Sequence, residues 1–176
     1  MQKPTRLART TVYESPWVNL YLDKVQFPGG LVIDKFHMLD MPKEAVAVLI
    51  ENDRNELLFV HAYRYSTNSI EWEIPAGAID PPEEILDAAQ REAHEETGYT
   101  TTGHRLLCSF NPMNGNTNKV FHLAQCRAKE KNGAFDPNEI HAIKWMGRDE
   151  IKAMIKTGQI RDGFTLTGLL WYLADL

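Results

Sequence analysis

Between Gly77 and Tyr99 the chain reads GAIDPPEEILDAAQREAHEETGY, and this stretch limits what the chain can be more than any other. Glu92, Glu95 and Glu96 stand at i, i+3 and i+4, so a helix projects all three carboxylates from one face. Ala88, Ala89 and Ala93 favour that helix and permit close packing, and Gly98 is a natural C-terminal stop. The pattern predicts a helix from Pro81 to Thr97, with Asp80 as N-cap, Pro81 at the first helical position and Glu83 as a capping-box acid. Like charges so close together repel. Two readings account for them: a solvated acidic face with Arg91 and Glu95 as an ordinary i,i+4 pair, or a bound divalent cation. For the second, all-oxygen ligands favour Mg²⁺, with Mn²⁺ as a substitute.

The flanking segments read as strands and helices in alternation. Ala45 to Glu51 and Leu57 to Tyr63 predict strands joined by the polar turn Asn52-Asp53-Arg54-Asn55, and Ile70 to Ile74 a third, ended by Pro75-Ala76-Gly77. Further strands are expected at Arg105 to Phe110, Val120 to Cys126 and Ala142 to Met146, and helices at Arg148 to Lys156 and Thr165 to Leu173. Before all of these, Thr10 to Leu39 alternates in short apolar runs around the turn Phe27-Pro28-Gly29-Gly30, which reads as a small antiparallel β unit. Met41-Pro42 breaks the pattern, so residues 1–43 and 44–176 are expected to form separate units. The fold class is α/β.

Composition narrows the function. The net charge is −5 with no basic block, which argues against a protein that coats nucleic acid. The longest apolar run, Ala45 to Ile50, is too short to span a bilayer, and no apolar run follows the basic N-terminal residues, so neither membrane nor secretory signal is expected. Cys108 and Cys126 lack metal-ligand spacing and read as buried thiols of a cytoplasmic protein. The histidines form no pair at zinc spacing.

The complete pattern resembles the Nudix hydrolase superfamily, whose box runs Gly, five residues, Glu, seven residues, then Arg-Glu-apolar-any-Glu-Glu-any-Gly-apolar. Gly77, Glu83, Arg91, Glu92, Glu95, Glu96 and Gly98 match its fixed positions, and Ala93 and Tyr99 its apolar ones. The resemblance implies a mixed β-sheet sandwiched between helices, and a magnesium-dependent hydrolase that cleaves a pyrophosphate bond. It implies Glu92, Glu96 and Glu95 as metal ligands, joined by the backbone carbonyl of Ala76. Arg91 would orient a glutamate, and Glu83 would support the loop and the metal's waters.

Over nearly the whole chain the resemblance is to ADP-ribose pyrophosphatases. It is carried by the N-terminal β unit, Tyr63-Arg64-Tyr65, Glu71 to Gly77, and Gly158 to Gly163 with Thr165. This implies a homodimer in which the N-terminal unit packs on a partner and helps to build the substrate site. Trp17 is then either a stacking platform for a nucleobase or a core aromatic. Arg64 either grips a phosphate or ribose or makes a surface salt bridge, and Glu73 either contacts substrate or structures its loop. Gly77 counts among the substrate-binding residues. Glu139 is the expected water-activating base, with a plain loop acid as its alternative and Glu130, Asp136 and Glu150 behind it. The loop Pro112 to Lys119 carries no acid, and Ile33 to Leu39 carries no arginine, both departures from the relatives. The substrate that the resemblance implies is ADP-ribose or a similar nucleoside diphosphate sugar. GDP-mannose, NADH or a dinucleoside polyphosphate, and a non-catalytic ligand sensor, remain as alternatives.

Overall fold

The computed structural model describes residues 2–174; Met1, Asp175 and Leu176, which the expected units include, lie outside the described residues. The chain divides into two compact units: residues up to Glu44 together with Asn111–Val120, and Ala45–Phe110 together with Phe121 onward.

The first unit is a three-stranded antiparallel sheet of β1 (Thr5–Tyr13), β2 (Asn19–Gln26) and β3 (Val32–Asp40), in the order β1-β2-β3. At the β2–β3 turn the Gly30 N–H donates to the Phe27 carbonyl at 2.9 Å, with Gly30 at φ +87°, a conformation that glycine adopts without strain. β1 is exposed along its whole length and is mostly polar, which is why its start at Thr5 left no alternation to read. The acid-free loop is tied to this unit: Leu39 N–H donates to the Asn116 carbonyl at 2.7 Å, and Met41 N–H to Asn118 Oδ1 at 2.9 Å.

The second unit is built around β4 (Ala45–Glu51), buried from Ala45 to Ile50 as a central strand covered on both faces must be. The other strands are β5 (Leu57–Arg64), β6 (Ser69–Glu73), β7 (Ala76–Ala78), β8 (Tyr99–Phe110), β9 (Phe121–Lys131) and β10 (Ile140–Met146). The main order is β10-β5-β4-β9-β8, with β6 on β5 and β7 on β4. β4 and β9 run parallel and the remaining pairs antiparallel, so the sheet is mixed. Val46, Val48 and Ile50 pack on Ala88, Ala89 and Ala93 of α1 (Ile85–Thr97). Ala47 and Leu49 face Ile151 and Met154 of α2 (Arg148–Lys156) and Leu169 and Tyr172 of α3 (Gly163–Ala174). Helices therefore sandwich the sheet as expected, because β4 offers alternate residues to opposite faces.

One boundary is corrected. α1 begins at Ile85, with Glu84 as N-cap, not with Asp80 capping a helix that starts at Pro81. Pro82 disfavours helical geometry at the residue before it, so Pro81 cannot open the helix. Asp80 and Glu83 close a turn ahead of it instead: Glu83 N–H donates to the Asp80 carbonyl at 2.8 Å, and Asp80 N–H to Glu83 Oε2 at 3.3 Å. The C-terminal stop is as expected, Gly98 lying at φ +73° with its N–H on the His94 carbonyl. Cys126 is buried, which pushes its thiol up to about 12, and Cys108 is half-buried. Among the described residues no helix is long and apolar enough to cross a membrane.

Candidate active site

The acidic face of α1 meets the short strand β7, and the contact is very close. A Cβ added to Gly77 would lie 2.0 Å from Glu92 Oε1 and 2.1 Å from Glu92 Cδ, so only glycine fits beneath that carboxylate. The space over Gly77 thus belongs to Glu92. One turn on, Glu96 Oε2 accepts the Ala76 N–H at 3.0 Å, and the residue is only 7% exposed. Burial pushes its carboxyl up to about 8, with repulsion from Glu92 and Glu139 adding to the shift and Arg64 opposing it. Burial raises Glu92 as well.

Arg91 is the hub of the acids around it. Its Nε donates to Glu83 Oε1 at 2.9 Å and one terminal nitrogen to Glu83 Oε2 and the Ala78 carbonyl, both at 2.9 Å. The other donates to Glu92 Oε1 at 2.7 Å and Glu95 Oε2 at 3.1 Å. The guanidinium holds Glu83 below the usual carboxylate range. The i,i+4 pair with Glu95 exists, as the solvated-face reading expects, and Glu95 is exposed. Glu92 and Glu96 instead turn inward onto the loop. The trio on one helical face is therefore split by depth, with Arg91 bonded both to the inward Glu92 and to the exposed Glu95.

A cleft of about 480 Å³ is lined by Glu92, Glu95 and Glu96 from α1 and by Asp136 and Glu139 from the loop before β10. Glu139 is placed there by a turn, its N–H donating to the Asp136 carbonyl at 3.3 Å and its own carbonyl accepting Tyr63 N–H at 3.4 Å. Of the weaker candidates, Asp136 shares this cleft, whereas Glu150 pairs with Lys144 and Glu130 lies on β9; neither lines it. Among the described residues no three acid, histidine or cysteine side chains already converge as a closed metal cage. The donor set still fits a hard divalent cation: two inward-facing carboxylates, one of them deeply buried, supply oxygen only.

Arg64 forms an ion pair with Glu73, its Nε 3.0 Å from both carboxylate oxygens. The Glu73 side chain is 5% exposed and that of Arg64 43%, so a buried carboxylate meets a guanidinium that still reaches solvent. A second cleft, of about 390 Å³, lies beside it, lined by Arg64, Ser66, Thr67, Glu71, Glu73, Arg161 and Asp162. Glu71 and Arg161 pair across it. Glu71, Arg161 and Asp162 carry no role in the sequence pattern alone; their signal is that they lie within Glu71–Gly77 and Gly158–Gly163.

Trp17 is no core residue. It is 71% exposed, in the turn before β2, where Ser15 Oγ accepts the Trp17 and Val18 N–H groups and the Lys43 ammonium stands 4.9 Å from the ring.

Comparison with known proteins bears on the family and the fold. A family model described as the NUDIX domain matches residues 41–165. A CMP-5'-(N-acetyl-N-hydroxy-3-aminopropyl)phosphonate hydrolase of Streptomyces rubellomurinus is 28% identical over 160 residues, 90% of this chain and 77% of that protein. The ADP-ribose pyrophosphatase of Bacillus subtilis is 25% identical over 162 residues, 90% of this chain and 86% of that one. A crystal structure of an ADP compounds hydrolase superposes with a TM-score of 0.87 at 19% identity, covering 99% of this chain and 94% of its own.

Proposed function

This chain belongs to the NUDIX family and is a Nudix pyrophosphohydrolase, and we propose that it splits ADP-ribose or a similar nucleoside diphosphate sugar into a nucleoside monophosphate and a sugar phosphate. The observation that carries this reading is the cleft that brings Glu139 to the inward-facing acids Glu92 and Glu96. Glu92 and Glu96, with Glu95 and the Ala76 carbonyl, would hold Mg²⁺, or Mn²⁺ in its place. When bound, such an ion neutralises the diphosphate and stabilises charge in the transition state.

The chain's own residues do the rest. Arg91 holds Glu92 in place while tying Glu83 and the Ala78 carbonyl to the helix, so the loop and the acids form one rigid unit. Gly77 lets Glu92 come down onto the loop backbone. Glu139, on the opposite wall, takes the proton of the attacking water.

The second cleft supports a sugar at the end of the diphosphate. Its acids outnumber its arginines, and both arginines are already paired, so it does not invite a further phosphate. It offers the Asp162 carboxylate and the Ser66 and Thr67 hydroxyls, a set that suits sugar hydroxyls, with Arg64 and Glu73 at the junction. Among the relatives, the phosphonate hydrolase and the ADP-ribose pyrophosphatase both bear the names of nucleoside phosphates joined to a second group. The exposed Trp17 ring suits a nucleobase. A homodimer is supported by β1, which among the described residues pairs only with β2 and exposes Leu7, Val12 and Tyr13, an edge that a second copy would cover.

Release of phosphomonoester from ADP-ribose, GDP-mannose, UDP-glucose, NADH and a diadenosine polyphosphate, each with Mg²⁺, tests the reading. A nucleoside diphosphate sugar should be cleaved best. A clear preference for the diadenosine compound, or no cleavage of any, would reject it.

A further inference from the structure

Thr165 has no task in the chemistry above, yet it is bonded to the segment that carries the site. Ile74 lies between two ladders: β6 ends at Glu73, paired with Val60, and β7 begins at Ala76, paired with Ala47. The Ile74 N–H donates to Thr165 Oγ1 at 3.1 Å, and Thr165 is fully buried. Thr165 is itself pinned, its N–H donating to Asp162 Oδ2 at 2.7 Å in the first turn of α3. One turn along, a Cβ on Gly168 would lie 2.8 Å from Ile74 Cδ1, so the helix also presses on the Ile74 side chain. The start of α3 therefore holds Ile74 by a hydrogen bond and by packing.

Ile74 has site residues on both sides. Before it, Glu73 pairs with Arg64. After it, Ala76 N–H holds Glu96, and Gly77 lies under Glu92. The geometry points to Thr165 as a positioning residue that fixes residues 73–77, and through them the two inward-facing glutamates, for cation binding. This rests on the function proposed above. Groups that orient metal ligands from behind are worth about ten- to a hundredfold in metal affinity.

The test is Mn²⁺ binding without substrate, followed by the electron paramagnetic resonance of free Mn²⁺, in wild type, Thr165→Val and Thr165→Ser. Valine keeps the shape and loses the acceptor; serine keeps the acceptor. Thr165→Val should weaken Mn²⁺ binding about tenfold and lower kcat more than it raises KM. Thr165→Ser should stay within about twofold of wild type, because the hydrogen bond survives. A residue that only fills the core would lower Tm and leave the Mn²⁺ affinity of the folded protein unchanged. That result, or equal impairment by serine, overturns the inference. If Thr165→Val does not fold, Gly168→Ala displaces Ile74 from the packing side and decides the matter in the same assay: weaker Mn²⁺ binding supports the inference, and wild-type affinity overturns it. If wild type takes up no Mn²⁺, the reading of the acid cluster falls and this one with it; wild-type binding untouched by either substitution removes Thr165 alone.

Discussion

Replacing Glu96 with Gln should lower Mg²⁺-dependent turnover by about a thousandfold while making the metal-free protein more stable above pH 8. Both effects come from burial. Glu96 is 7% exposed and its carboxyl is pushed up to about 8, so at neutral pH without a cation it holds a proton that the unfolded chain has lost. Between the ordinary carboxylate range and about 8, the folded state therefore binds more protons than the unfolded one. Stability falls as pH rises through that window, at up to about 1.4 kcal/mol per pH unit. Gln carries no proton to lose and can still accept the Ala76 N–H. Its metal-free Tm at pH 8.5 should exceed that of wild type by roughly 5–15 °C, the gap closing towards pH 5. Thermal melts in a chelator from pH 5 to 9, beside initial rates with Mg²⁺, read both. A variant with wild-type turnover would remove Glu96 from the metal site.

Glu139→Gln should lower kcat by about 10²- to 10⁴-fold, the usual contribution of a general base, with KM and Mn²⁺ affinity close to wild type. Glu139 is exposed on the loop before β10, on the wall of the cleft facing Glu92 and Glu96, and its backbone is held by Asp136 and Tyr63. Losing the carboxylate should therefore remove proton transfer without unfolding the loop. Steady-state kinetics with single-turnover rates check this. An unchanged kcat passes the role to Asp136, the other loop acid in the cleft, whose Oδ1 already accepts Asn138 N–H at 2.8 Å.

Much of this was legible in the sequence for one physical reason: helix and strand periods place side chains on faces without knowledge of the rest of the fold. Ala45 to Glu51 and Arg148 to Lys156 have the predicted boundaries, since each carries its full pattern of apolar residues. The starts of β1 and β8 escape a sequence reading because both are mainly polar stretches of edge strands, with little alternation to betray them. The helix starts later than the Asp80 cap pattern predicts because a second proline, Pro82, stands in the way. At the site, spacing put Glu92, Glu95 and Glu96 on one face, yet could not say that Arg91 would hold Glu95 outward while Glu92 settled on Gly77. Arg64 and Glu73 were each singled out with open alternatives, and their mutual pairing is a cross-strand event that no single segment reveals. Thr165 acts on Ile74 across 91 positions of chain, beyond the reach of any local pattern.

The central claim is that Glu92 and Glu96 face the cleft in order to share a divalent cation. Anomalous diffraction from a crystal soaked in Mn²⁺ with a non-hydrolysable nucleoside diphosphate sugar tests it most directly. A manganese peak beside both carboxylates, with the diphosphate on its far side, is the predicted result. Density for the diphosphate with no manganese at Glu92 and Glu96 would contradict the account.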